Sequence, residues 1–147
     1  MIILAIDPGE HAGWAWIQSG IVFNAGAGDP AGFGGTITAV VIERPVIYPG
    51  GEARANDQIT LALNAGRWIE RFCNAGPVYL VPARKWKGTL NKKAHHAQVE
   101  AALTPDNMRI WSTLKTHDAR DAFALALWSH KMLAASPVCL LQYQIKC

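Results

Sequence analysis

Two stretches of the chain are apolar at consecutive positions rather than at alternate ones. Ile2-Ile3-Leu4-Ala5-Ile6 runs into Asp7, and Thr38-Ala39-Val40-Val41-Ile42 runs into Glu43. Short unalternating runs predict strands buried on both faces, in the middle of a sheet. Each run ends in a carboxylate and then in a break, Pro8-Gly9 after Asp7 and Arg44-Pro45 after Glu43, where proline ends the ladder and turns the chain. Between them, Gly13 to Ile17 reads as a strand, Gln18-Ser19-Gly20 as a hairpin turn, and Ile21 to Asn24 as its returning partner. Three strands in a meander thus open the domain. Residues 25–35 are dense in glycine but lack the GxxxxGK[ST] pattern, so they read as a crossover and not as a phosphate cradle.

Ile47 to Ala55 is a loop by its Pro49-Gly50-Gly51, and a helix follows from about Asn56 to Asn74, stopped by Gly76-Pro77. Ile59, Ala62, Leu63, Gly66, Ile69 and Cys73 share one helical face, and Leu61, Ala65, Trp68 and Phe72 the next. That arc is wider than one core contact needs, so the helix is expected to pack on the sheet and on something else. Val78 to Val81 is a short strand. Helices are expected from about Lys93 to Leu103, from Thr104-Pro105 (N-cap and N1) to about Leu114, and from His117 to about Ala134. The apolar tail over residues 135–147 has no period and receives no element.

Composition narrows the class. Half of the 147 residues are hydrophobic and 17% are charged, the balance of a globular chain, read here as a single domain over 1–147. The N-terminal run is too short for a membrane span and lacks the basic flank and cleavage site of a signal peptide. Cys73, Cys139 and Cys147 form no CxxC pair, which argues against a disulfide framework or a zinc site and makes the cytoplasm the default compartment. Net charge is only +3, yet five of the fourteen basic residues fall between Arg84 and Lys93. Arg84, Lys85, Lys87, Lys92 and Lys93 are a candidate polyanion contact, or equally a solvated loop.

The last helix carries Asp118 and Asp121 in its first turn, at i and i+3 on one face. Acids there complement the helix dipole by about 0.3–1 kcal/mol each, which accounts for Asp118 alone. It accounts less well for two same-face acids leading into the apolar Leu125 and Trp128. If the strands ending in Asp7 and Glu43 are parallel neighbours, their acids emerge at the carboxyl edge of the sheet, where open α/β sheets place their sites. Asp7, Glu43, Asp118 and Asp121 would then share one pocket, and their repulsion calls for protonation or a bound cation. Hard oxygen ligands select Mg²⁺ or Mn²⁺, and two such ions about 3.5–4 Å apart suit phosphoryl transfer. An acidic metal pocket in a basic surround describes a nuclease.

The ordered set Ile3-Leu4-Ala5-Ile6-Asp7-Pro8-Gly9, Val41-Ile42-Glu43 and His117-Asp118-Ala119-Arg120-Asp121-Ala122 resembles the RuvC family of Holliday-junction resolvases, in the RNase H-like superfamily. Ile42-Glu43-Arg44-Pro45 and Trp86-Lys87-Gly88 are similar to its compact phage and prophage members. The resemblance implies an α/β, RNase H-like fold: a five-stranded mixed sheet, antiparallel meander plus two parallel strands, flanked by helices. It implies an endonuclease that resolves four-way junctions, with flaps or forks as related substrates, leaving 5′-phosphate and 3′-hydroxyl ends. Asp7, Glu43, Asp118 and Asp121 become the catalytic ligands of two Mg²⁺ ions, with Mn²⁺ able to substitute. Some relatives carry histidine where Asp118 stands, and residues 24–38 are short for the helix expected there.

The implied partners are branched DNA and a second copy in a homodimer, with no membrane and no nucleotide cofactor; a phage protein would act in the bacterial host cytoplasm. Lys87, Lys92 and Lys93, with Arg84, Lys85 and Arg44, are the expected DNA contacts. Trp86 either stacks on an exposed base or anchors its loop in the core, the second being the commoner role. His117 caps the helix or assists proton transfer, and His95 and His96 are expected to face solvent. The competing reading is a catalytically weak or inactive DNA-binding or packaging accessory protein of the same fold.

Overall fold

In the computed structural model, which describes residues 1–9, 11–30, 32, 34–46 and 55–146, the two apolar runs lie side by side. Strand β1 (Ile2–Asp7) pairs in parallel with β4 (Ala39–Arg44), Ile6 opposite Ile42. β2 (Gly13–Gln18) and β3 (Ile21–Ala27) complete the antiparallel meander on one side, and β5 (Val78–Pro82) pairs in parallel with β4 on the other. The sheet order is β3-β2-β1-β4-β5-β6. The sixth strand corrects the expected five. β6 (Gln144–Ile145) joins β5 antiparallel from the tail the sequence left unplaced. It is only two residues long, too short to show a period. Packing of the preceding 3₁₀ segment Pro137–Tyr143, whose Leu140 is fully buried, carries it to the sheet edge.

The sheet separates two cores. Ile3, Ala5, Ala39 and Val41 face one, and Leu4, Ile6, Val40 and Ile42 face the other, as the alternation of a strand demands. Over the first face lies the long helix α5 (His117–Ala135), buried at Ala122, Phe123, Leu125 and Ala126. It is flanked by α3 (Lys92–Ala101) and α4 (Pro105–Trp111), while the short α2 (Ala83–Trp86) follows β5 directly. The second face is covered by α1 (Ala55–Phe72) through Ala65 and Trp68, with Ile69 and Phe72 half-buried. The Ala65–Trp68–Phe72 face packs on the sheet, and of the other face Ile69 joins it while Ile59 and Leu63 are exposed. The loop expected at Ile47 to Ala55 lies almost wholly outside the described residues.

Thr104 caps α4, as read from sequence. The cap of α5 is Thr116 and not His117: the Thr116 hydroxyl accepts from the Ala119 amide at 3.2 Å, and His117 is the first residue inside the helix. Asn107, with no signal in the hydrophobic pattern, is buried and joins α4 to the β2–β3 hairpin. Its Oδ1 accepts from the Val22 amide at 2.8 Å and its Nδ2 donates to the Gly20 carbonyl at 3.1 Å. Cys73 is disulfide-bonded, a pairing its sequence spacing did not signal, while Cys139 is free and exposed. Among the described residues no helix is long and apolar enough to cross a membrane.

Candidate metal centre

Asp7 and Glu43 both continue the odd positions of their strands, so side-chain alternation aims them at the α5 side of the sheet. The parallel register sets them on neighbouring strands at the same carboxyl edge. Two glycines let α5 meet them. Gly13 stands opposite Asp7 in the ladder, and a Cβ there would overlap the Asp118 carbonyl. A Cβ on Gly9 would overlap the Asp118 carboxylate itself. Small residues at both positions thus bring the N-terminus of α5 against the end of β1.

The result is a cleft of about 350 Å³ lined by Asp7, Glu43 and Asp118, with Lys92, Pro8 and Pro45 around them. Asp121 lies behind it, with no exposed surface. Its Oδ2 is 3.1 Å from Lys87 Nζ and 3.4 Å from Lys92 Nζ, and its Oδ1 is 2.7 Å from His96 Nε2. Lys92 Nζ also lies 3.8 Å from Asp118 Oδ1. The four expected carboxylates are thus brought together in two tiers, three facing the cleft and one saturated beneath it.

Their acidities follow from this arrangement. Burial pushes the Asp7 carboxyl well above its usual range, and the charges of Glu43, Asp121 and Asp118 push it further, against the pull of Lys92. Burial likewise raises Glu43, with Asp121 adding to it and Lys87 and Lys92 opposing. Asp121 behaves oppositely. Burial would raise it, but Lys87, the His96 hydrogen bond and Lys92 together hold it below the usual carboxylate value. Burial alone would lower the Lys92 ammonium, yet Asp121, Asp7 and Asp118 raise it.

Two ammonium groups set against four carboxylates leave an excess of negative charge when all are ionised. Glu43 Oε2 is buried without a hydrogen-bond partner, a lone pair that burial makes costly unless a proton or a cation meets it. The Trp86 indole N–H approaches Glu43 without reaching hydrogen-bond geometry. All-oxygen donors, excess negative charge and an unsatisfied carboxylate oxygen fit a hard divalent cation.

The basic cluster divides. Lys87 and Lys92 direct their ammonium groups at the acids, whereas Arg84, Lys85 and Lys93 are exposed on α2 and α3, and Arg44 is exposed at the end of β4. Trp86 is buried beside His95, their ring centroids 5.2 Å apart, and so anchors its segment in the core. His95 and His96 correct the expectation of solvent exposure: both are buried. Their helix has a weak apolar pattern, and the partner that draws His96 inward is Asp121, 25 residues away. His117, exposed at the first position of α5, stacks on His96 at 5.7 Å.

His95, His96 and Asp121 also bring three ligand atoms within 4.8 Å of one another. An ion among them would face the Lys87 ammonium at close range, and the His96–Asp121 hydrogen bond already satisfies that pair. His96 and Lys87 act instead as a clamp on Asp121.

No protein-family model matches the sequence, and no curated protein matches it. Among solved structures, T. thermophilus RuvC in complex with Holliday junction substrate matches over 92% of this chain and 97% of its own, with a TM-score of 0.58 at 17% identity. The fold is RuvC-like.

Proposed function

We propose that this RuvC-like chain is a divalent-metal-dependent endonuclease that cleaves branched DNA, four-way junctions foremost. The observation that carries the reading is the convergence of Asp7, Glu43 and Asp118 on one cleft with Glu43 Oε2 unsatisfied. The RuvC-like fold supports the substrate class, because the neighbour of that fold was captured with a Holliday junction.

Asp7, Glu43 and Asp118, with Asp121 behind them, are the residues that would hold Mg²⁺ or Mn²⁺. Two such ions would activate a water and stabilise the leaving oxygen, giving 5′-phosphate and 3′-hydroxyl ends. The chain's own part is positioning and charge. The apolar β1 and β4 hold Asp7 and Glu43 rigidly, and the Lys87–His96 clamp fixes Asp121 in one rotamer. Lys92 reaches the acids from a half-exposed side chain, so it can swing toward a phosphate as cations replace it. Arg84, Lys85, Lys93 and Arg44 offer phosphate contacts around the rim that position DNA without reading sequence. The exposed Ile59 and Leu63 of α1 suit a homodimer contact, and a bacterial cytoplasm is the matching compartment.

The test is a synthetic four-way junction incubated with purified protein and Mg²⁺. Nicking that is absent in EDTA and absent in Asp7→Asn, which still binds the junction, is the expected result. Cleavage that persists in Asp7→Asn removes the metal site from the proposal. Binding without any cleavage by the native chain transfers the protein to the accessory class.

A further inference from the structure

On the far side of Gly9 from the acidic cleft lies a larger one, of about 810 Å³. Its walls are the β1–β2 turn at His11 and Ala12, the end of β3 at Gly28 and Asp29, and the Asn64–Arg71 stretch of α1. It exists because α1 alone covers that face of the sheet, and the backbone between β3 and β4 adds no helix among its described residues. The two clefts share Gly9, and Thr116, which caps the helix carrying Asp118, also lines the second.

Arg71 is already accounted for. It pairs with Asp29 at 2.9 Å and stacks over Trp68 and Phe72, 5.3 and 5.5 Å from their ring centres. Arg67, one turn earlier on the same side of α1, is exposed and has no carboxylate partner among the described residues. Among the described residues the cleft therefore presents two guanidinium groups against the single carboxylate of Asp29, over an apolar floor of Ala12 and Trp68. A positive, half-apolar groove opening beside a negative metal cleft matches a phosphodiester strand, whose phosphates want cations and whose sugars and bases tolerate apolar surface.

We infer that this cleft is a second nucleic-acid subsite, taking the backbone of the strand as it leaves the acidic cleft, with Arg67 as the phosphate contact and Arg71 as a fixed guanidinium wall. The inference rests on the nuclease reading and adds a direction to it. The strand runs from the Arg84–Lys93 side, across Asp7 and Asp118, and past Gly9 toward Arg67.

The experiment measures binding of a fluorescent oligothymidylate and of a four-way junction by anisotropy over a salt series, without divalent metal, for the native chain, Arg67→Ala and Arg67→Lys. Arg67→Ala is expected to bind severalfold more weakly, with the slope of log affinity against log salt reduced by about 0.7–0.9, the loss of one phosphate contact. Arg67→Lys should recover most of both. Because Arg67 is exposed, the melting temperature should not move.

Unchanged affinity and slope in Arg67→Ala overturn the subsite while leaving junction cleavage, measured in parallel, to judge the nuclease reading. Arg67-dependent binding with no cleavage by the native chain keeps the subsite and removes the nuclease. A change of oligomeric state in Arg67→Ala, seen by sedimentation with DNA binding intact, assigns the cleft to a second copy of the chain and overturns the inference.

Discussion

Gly13 of β2 lies directly against the backbone of Asp118, at the point in the ladder where it pairs with Asp7. The absence of one side chain therefore sets the distance between an acid at the end of a strand and an acid at the start of a helix. Gly13→Ala is expected to force α5 off the sheet. Overpacking costs about 1–3 kcal/mol, and backbone on both sides leaves little room to relax, so the upper end applies. Denaturant melts should show that loss, and cleavage should fall more steeply than stability because the carboxylates separate.

Asp7→Asn is expected to stabilise the metal-free protein near neutral pH. Asp7 has its folded acidity raised by burial and then by Glu43, Asp121 and Asp118. A raised carboxyl favours the folded state while protonated, and that stability is lost as pH climbs from the unfolded value through the folded one. The native chain should therefore lose stability over that rise, and Asp7→Asn should lose less. Melting temperatures across a pH series in EDTA decide it; parallel curves for the two proteins would remove burial and carboxylate repulsion at Asp7 as the cause.

Asp121 carries the opposite sign. Its folded acidity is lowered, because Lys87, His96 and Lys92 outweigh burial. It stabilises the fold above the unfolded carboxylate value and stops doing so as pH falls through the lowered one. Asp121→Asn should flatten that acid limb and destabilise the protein by up to about 3–5 kcal/mol, since it removes the charge that the half-buried Lys87 ammonium and His96 meet. Adding Lys87→Met should return part of that loss, with a coupling of about 0.5–3 kcal/mol.

Millimolar Mg²⁺ or Mn²⁺ should raise the melting temperature by linkage. At a hundredfold excess over the dissociation constant the gain is about 2.7 kcal/mol, or about 5–10 °C for a domain of this size. Differential scanning fluorimetry would show it. An equal shift in both Asp7→Asn and Asp121→Asn would place the ion elsewhere.

His96→Ala is expected to weaken cleavage more than junction binding, because it frees one oxygen of Asp121 without touching the rim. His96→Gln, able to donate from a similar position, should restore part of the rate. Single-turnover cleavage beside anisotropy separates the two effects.

The order of acids along the chain is a property of the sequence alone. Unalternating runs ending at Asp7 and Glu43, and the i, i+3 pair Asp118 and Asp121, are local patterns. Local patterns are sufficient to place a strand end or a helix face. The cap at Thr104 follows from the same kind of signal, whereas the parallel pairing of the two runs and the cap at Thr116 are seen only in the structure.

What only the tertiary structure decided is where residues distant in sequence meet. Lys87 and Lys92 reach inward to the acids, His96 is drawn into the core by Asp121, Trp86 is buried, and a two-residue β6 joins the sheet. None of these has a period or a motif, because each is fixed by one long-range partner. The burial of a charge is set by what surrounds it in space, and hydrophobic pattern along a chain does not encode that.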